Sequence, residues 1–163
     1  MFSIDEILDL AIRIEQNGEA VYRDAIKEIS QPELVSLLEW MADEEVTHAR
    51  WFAELKMKIA TSSANPFVEE MSRALFADLL GEKSFSHQDV DFSQVDDLDE
   101  LIAIFIEFER DTVIFYETLQ PFIEDEDTRE HLKKIIAEEN NHITQLMEFT
   151  SSDAAFSLNV DDH

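Results

Sequence analysis

The sequence predicts an all-α fold: a four-helix bundle made of two helical hairpins joined by a long crossover that contains a short helix. Three observations predict it. Gly and Pro are scarce, two and three in 163 residues, too few for a turn-rich β fold. Apolar residues recur at spacings of three and four through four long segments. The breaks within each pair of segments are short, whereas the second and third are separated by residues 61–96. With 45% hydrophobic residues, the chain has enough apolar side chains for one core, assigned here to a single domain over residues 1–150.

The first helix is expected over about 4–29, on a seam of Ile4, Leu8, Ala11, Gly18, Ala25 and Ile29. Ser30, Gln31 and Pro32 interrupt it, and Pro32 suits the first turn of the next helix. That second helix runs over 32–60 on Leu34, Leu38, Met41, Phe52, Leu55 and Ile59. Within the 61–96 linker, residues 67–80 have the pattern of a short amphipathic helix, stopped at Gly81. The third helix is expected over 97–120 on Leu98, Ile102, Phe105, Thr112 and Leu119. Pro121 and the acidic run Glu124–Asp127 separate it from a fourth over 127–150, on Leu132, Ile135, Leu146 and Phe149. Residues 151–163 show no seam and are expected to be a flexible tail. A bundle helix of this kind is roughly 40 Å long at about 1.5 Å per residue, and the linker can run that distance.

Charge narrows the function. The chain has 38 Asp+Glu against 12 Lys+Arg, a net charge of −26, which repels nucleic acid and anionic lipid and attracts cations. No apolar stretch reaches the roughly 18–20 residues that span a bilayer, so no membrane partner is expected. Asp5, Glu6 and Asp9 stand where a secretion signal would be basic. There is no cysteine, which excludes disulfides and thiolate metal sites. A cytoplasmic location is the expectation from these two features.

Each seam carries one glutamate at its centre: Glu15, Glu45, Glu109 and Glu139. Two are followed three residues later by histidine, His48 and His142, and the other two seven residues later by tyrosine, Tyr22 and Tyr116. Both spacings keep the pair on one helix face. Composition alone supplies about one Glu-x-x-His match, so the internal repeat is the stronger signal. Glu15/Glu109, Tyr22/Tyr116, Glu45/Glu139 and His48/His142 all differ by 94, and the chain's two tyrosines both obey that offset. Four buried carboxylates cost several kcal/mol each if left ionised and unpaired. Two divalent cations would cancel their charge, and carboxylate with imidazole suits iron or manganese, with zinc also compatible.

These segments, Glu15–Tyr22, Asp43–His48, Glu109–Tyr116 and Glu138–His142, resemble the ferritin-like di-iron carboxylate superfamily, and within it the rubrerythrin-like domains. The resemblance covers about 4–60 and 97–150. It implies two iron ions held by Glu15, Glu45, His48, Glu109, Glu139 and His142. Glu45 and Glu139 would bridge, and Tyr22 and Tyr116 would orient the carboxylates from behind. Two departures stand out. The rubredoxin-type centre is absent with the cysteines, and Thr112 occupies the place of a seventh carboxylate, with Gly18 at the matching place in helix one. Glu19 is a weaker candidate for an extra ligand.

The resemblance implies an oxidoreductase that reacts Fe(II) with hydrogen peroxide or O2, by peroxide reduction or ferroxidase activity, and takes electrons from a separate donor. The alternative is a non-catalytic iron, manganese or zinc carrier. A homodimer is expected from apolar outer faces, and no nucleic-acid partner. His87, His131 and His163 lie off the seams and are expected in solvent, and Trp40 and Trp51 are expected as core or interface filling.

Overall fold

The computed structural model describes residues 4–60 and 97–160. It is all-helical over these residues: α1 Ile4–Ile26, α2 Pro32–Ala60, α3 Leu98–Leu119 and α4 Glu126–Val160, with a single 3-10 turn at Gln120–Phe122. The predicted 67–80 helix and the rest of the 61–96 linker lie outside the described residues. No described helix is long and apolar enough to cross a membrane.

The helix ends follow from local chemistry. α1 stops at Ile26, three residues before its apolar seam does, because the N–H groups of Lys27, Glu28 and Ile29 turn to the carbonyls three residues back. Pro32 opens α2, where its missing N–H costs nothing. Asp97 caps α3, its carboxylate accepting from the Glu100 N–H at 2.9 Å. Pro121 sits in the 3-10 turn, and the Ile123 carbonyl after it is held by both Nε and Nη2 of Arg129. Asp125 caps α4, accepting from the Thr128 N–H at 2.9 Å. Hydrogen bonds from the Thr128 hydroxyl and backbone hold its carboxyl below the usual range.

The fourth helix runs past the end of its apolar seam. Residues 151–160, read as a flexible tail, continue α4 to Val160. They lack a seam but also lack Gly and Pro, and extending a formed helix needs no new nucleus.

α1 packs along α2, and α3 along α4. The core falls into two apolar clusters. One joins Ile7, Leu8, Ala11 and Ile14 of α1 to Phe52 and Leu55 of α2, Phe115 and Leu119 of α3, and Leu132 and Ile135 of α4. The other joins Val21 and Ala25 to Leu34, Leu38 and Met41, Leu101, Ile102 and Phe105, and Leu146. The first half of α1 thus shares an end with the second halves of α2 and α3 and the first half of α4. Partners within each hairpin are antiparallel, and so are α1 and α3. α2 ends and α3 begins at opposite ends of the bundle, as a long crossover requires. Each fully buried Leu, Ile or Phe contributes about 1.5–3 kcal/mol. Between the two clusters lies a buried polar layer.

Candidate metal centre

The seams carry the layer inward. In every helix an apolar stripe fixes which face is buried, and the glutamate at its middle is buried with it. Glu15, Glu109, Glu139 and His142 are fully buried, and Glu45 and His48 are 2% exposed. All six predicted ligand positions therefore meet in the core. They form two overlapping groups whose ligand atoms lie within 4.8 Å of one another: Glu15, Glu45, His48 and Glu139, and Glu45, Glu109, Glu139 and His142. Glu45 and Glu139 belong to both.

Both histidines lie nearest the same glutamate, Glu139, while their 3.5 Å distances to Glu15 and Glu109 repeat with the sequence. His48 Nδ1 is 2.9 Å from Glu139 Oε1 and 3.5 Å from Glu15 Oε2. His142 Nδ1 is 3.0 Å from Glu139 Oε2 and 3.5 Å from Glu109 Oε1. The imidazole centroids are 6.3 Å apart and their planes differ by 25°. Both histidines thus turn Nδ1 toward the carboxylates and leave Nε2 facing outward.

The two tyrosines act across the hairpins. Tyr22 of α1 donates its hydroxyl to Glu109 Oε1 of α3, and Tyr116 of α3 donates to Glu15 Oε1 of α1. Burial and the neighbouring carboxylates, Glu109 for Tyr22 and Glu15 for Tyr116, push both phenols well above their usual range, so both remain donors.

Electrostatics shows how the layer survives without metal. Burial disfavours the charged imidazoles, but the carboxylates packed around them overcome it. His48 is raised to about 11 by Glu139 and Glu15, and His142 to about 12 by Glu109, Glu139 and Glu44. Burial and the charges of Glu139, Glu15 and Glu109 raise Glu45 well above the carboxylate range. Burial and Glu139 raise Glu109 to about 7. Burial also pushes Glu15 up, yet its polar contacts with Glu45 and His48 outweigh it and Glu15 titrates lower than usual. Protons on the histidines offset part of the negative charge of the layer.

Those protons do not satisfy every buried atom. Glu15 Oε2, Glu45 Oε1, Glu109 Oε2, Glu139 Oε2 and His142 Nδ1 have no hydrogen-bond partner. His142 Nδ1 is close to Glu139 but out of line for a hydrogen bond. Buried atoms of this kind are rare in folded proteins, and these five cluster, each from a group that ligates metal, with Gln31 Oε1 the one other such atom among the described residues. The residues present therefore fit a metal centre.

A family model for rubrerythrin matches residues 6–150. The chain belongs to the rubrerythrin family. As a structure, this rubrerythrin-family chain is similar to a Thermotoga maritima protein described as a ferritin-like diiron-carboxylate protein. Identity is 24%, the match covers 93% of this chain and 97% of that one, and the TM-score is 0.68. That likeness shows the ferritin-like fold. Among curated proteins none matches the chain.

Two residues of the site escaped the sequence reading. His48 Nε2 lies 2.7 Å from Glu138 Oε2 of α4, and His142 Nε2 lies 2.7 Å from Glu44 Oε2 of α2. Glu44 and Glu138 also differ by 94, the signal that could have found them. Gly18 shows why this rubrerythrin-family site has no side chain there. A Cβ at Gly18 would stand 3.2 Å from the Phe108 ring and 3.4 Å from the Glu45 carboxyl carbon, so the shared carboxylate rests on bare backbone. At the matching place Thr112 is buried and donates to the Phe108 carbonyl at 3.0 Å.

Other predicted positions lie elsewhere. Glu19 is on the surface, paired with Arg23 at 3.2 Å, and adds nothing to the layer. His131 is exposed as expected but stacks on Trp51, centroids 4.7 Å apart. Trp40 is not core filling: it is 39% exposed and meets His142 edge-on. His87 and His163 lie outside the described residues.

Proposed function

We propose that this chain is a non-haem di-iron oxidoreductase that reacts Fe(II) with hydrogen peroxide or O2. The observation that carries the reading is the pair of overlapping donor groups with their cluster of unpartnered buried atoms. Glu15 and His48 would hold one iron and Glu109 and His142 the other, with Glu45 and Glu139 shared between them. Bound iron supplies the redox chemistry, cycling between ferrous and ferric states. The protein supplies the geometry. Glu44 and Glu138 hold the proton on Nε2 of His142 and His48, which leaves each Nδ1 lone pair free for metal. Tyr22 and Tyr116 fix one oxygen of Glu109 and Glu15 and leave the other for ligation. The apolar clusters on both sides exclude bulk water from the layer.

Six protein ligands shared by two metals would leave room for a small oxidant. Hydrogen peroxide or O2, an external electron donor and a homodimeric assembly belong to the same proposal. The test is anaerobic loading with two equivalents of Fe(II), then peroxide. Rapid growth of the near-ultraviolet absorption of oxidised iron is expected. Oxidation no faster than that of free Fe(II) would remove the reading.

Gly18 and Thr112 favour a second reading. Neither offers the seventh carboxylate, which makes a carrier of iron, manganese or zinc the alternative. Steady-state peroxide consumption with a supplied reductant separates the two: turnover supports the oxidoreductase, and binding without turnover the carrier.

A further inference from the structure

An oxidoreductase without cysteine has no sulfur-bound electron carrier of its own, so electrons must cross from the surface to the buried layer. Among the described residues, Trp40 spans that gap in a single step. Trp40 is 39% exposed, and its indole meets the imidazole of fully buried His142 with centroids 5.3 Å apart and planes at 81°. A single ring thus separates solvent from a member of the donor cluster. The duplicated scaffold does not require it. The position 94 residues on is Lys134, which reaches toward Glu138 instead.

The other tryptophan is worse placed. Trp51 is half-buried and meets Phe52, which meets Tyr116, whose hydroxyl reaches Glu15. That path needs three rings and a hydroxyl to arrive at a carboxylate.

We propose that Trp40 is the electron-entry point of the centre, for a cationic one-electron donor. The donor meets the exposed indole, and an electron passes through the ring to His142 and on to the oxidised metals. No bond in Trp40 forms or breaks. Reduction of one hydrogen peroxide to two waters takes two such passes, oxidising two donor molecules and consuming two protons from solvent. The donor's charge follows from the surface: the chain carries −26, and Glu39 is exposed beside Trp40 on α2. Such a field draws cations in and holds anions off, and salt weakens both effects. The proposal rests on the oxidoreductase reading.

The experiment begins with iron-loaded protein oxidised by peroxide, then mixed anaerobically with reduced methyl viologen, a cation. The decay of ferric absorption is followed. Trp40→Ala is expected to slow this reduction several-fold, Trp40→Phe to recover much of the rate, and Trp51→Phe to leave it unchanged. Oxidation by peroxide and iron content should be the same in all four proteins. The viologen rate should fall with added salt, and that of anionic dithionite should rise. In Trp51→Phe, where Trp40 is the sole indole, loading with Co(II) should quench the fluorescence. If Trp40→Ala binds less iron, Trp40→Leu keeps the apolar volume without the ring and carries the same comparison. Reduction at the wild-type rate without the ring, or an equal loss in Trp51→Phe, would overturn the proposal. Failure of the wild-type protein to be oxidised at all would overturn the oxidoreductase reading with it, and is seen before any variant is compared.

Discussion

The outward nitrogens of His48 and His142 each meet a carboxylate from the opposite helix, and this places Glu138 and Glu44 among the determinants of metal binding. Removing either leaves its histidine free to rotate or to put the proton on Nδ1. Glu44→Ala and Glu138→Ala are each expected to weaken metal binding about 10–100-fold, measured by Co(II) titration against a chelator. Both glutamates are partly exposed, so melting of the metal-free protein should change little. The tyrosines behave differently. Tyr22→Phe takes the hydroxyl from fully buried Glu109 and should cost about 1–3 kcal/mol in denaturant unfolding of the metal-free protein. The six central residues were legible in the sequence because they lie on the seams and repeat at 30 and 94 residues. Glu44 and Glu138 were not, because a glutamate one place off the seam of so acidic a chain looks like any solvated side chain.

At the scale of the element, the helices are defined by seams inside and caps at their ends. Asp125 supplies the cap where α4 leaves the 3-10 turn. Asp125→Ala is expected to cost about 1 kcal/mol, read as a lower denaturant midpoint with unchanged slope. The four helices and their order were legible because period-3.6 patterning survives the insertion of Glu and His on the buried face. Two ends were not. At α1 the apolar residue Ile29 outlasts the helix, because the backbone has already tightened into three-residue bonds. At α4 the helix outlasts the apolar pattern. A seam records which face is buried, whereas a helix ends where its backbone hydrogen bonds find other partners.

The whole molecule carries its charge in two places, an acidic exterior and a core layer that binds protons when no metal is there. In the metal-free protein His48 and His142 keep their protons to about 11 and about 12 against an ordinary value of 6.5, and Glu109 keeps its proton to about 7 against 4.5. The folded state thus holds more protons than the unfolded chain from pH 4.5 upward, and its stability falls as pH rises. With metal bound, the ligands must be deprotonated, and the sign reverses below the unfolded histidine value. Thermal melting from about pH 5 to about pH 8 should show Tm falling for the metal-free protein, and for the loaded one rising to about pH 6.5 and then levelling. Metal uptake should also release protons, measurable in weakly buffered solution. How the hairpins face one another was legible only as topology. The crossed bonds from Tyr22 to Glu109 and from Tyr116 to Glu15 depend on helix rotation, which spacing along one helix does not fix. Those bonds bear on ancestry. A lone hairpin would bury a glutamate whose hydroxyl partner lies on another copy, so a protein of half this length would work only as a symmetric pair, with both copies changing at every mutation. Once fused into one gene, the halves are free to differ. Gly18 against Thr112 and Trp40 against Lys134 are such differences, and a single donor layer thereby acquires two unlike sides.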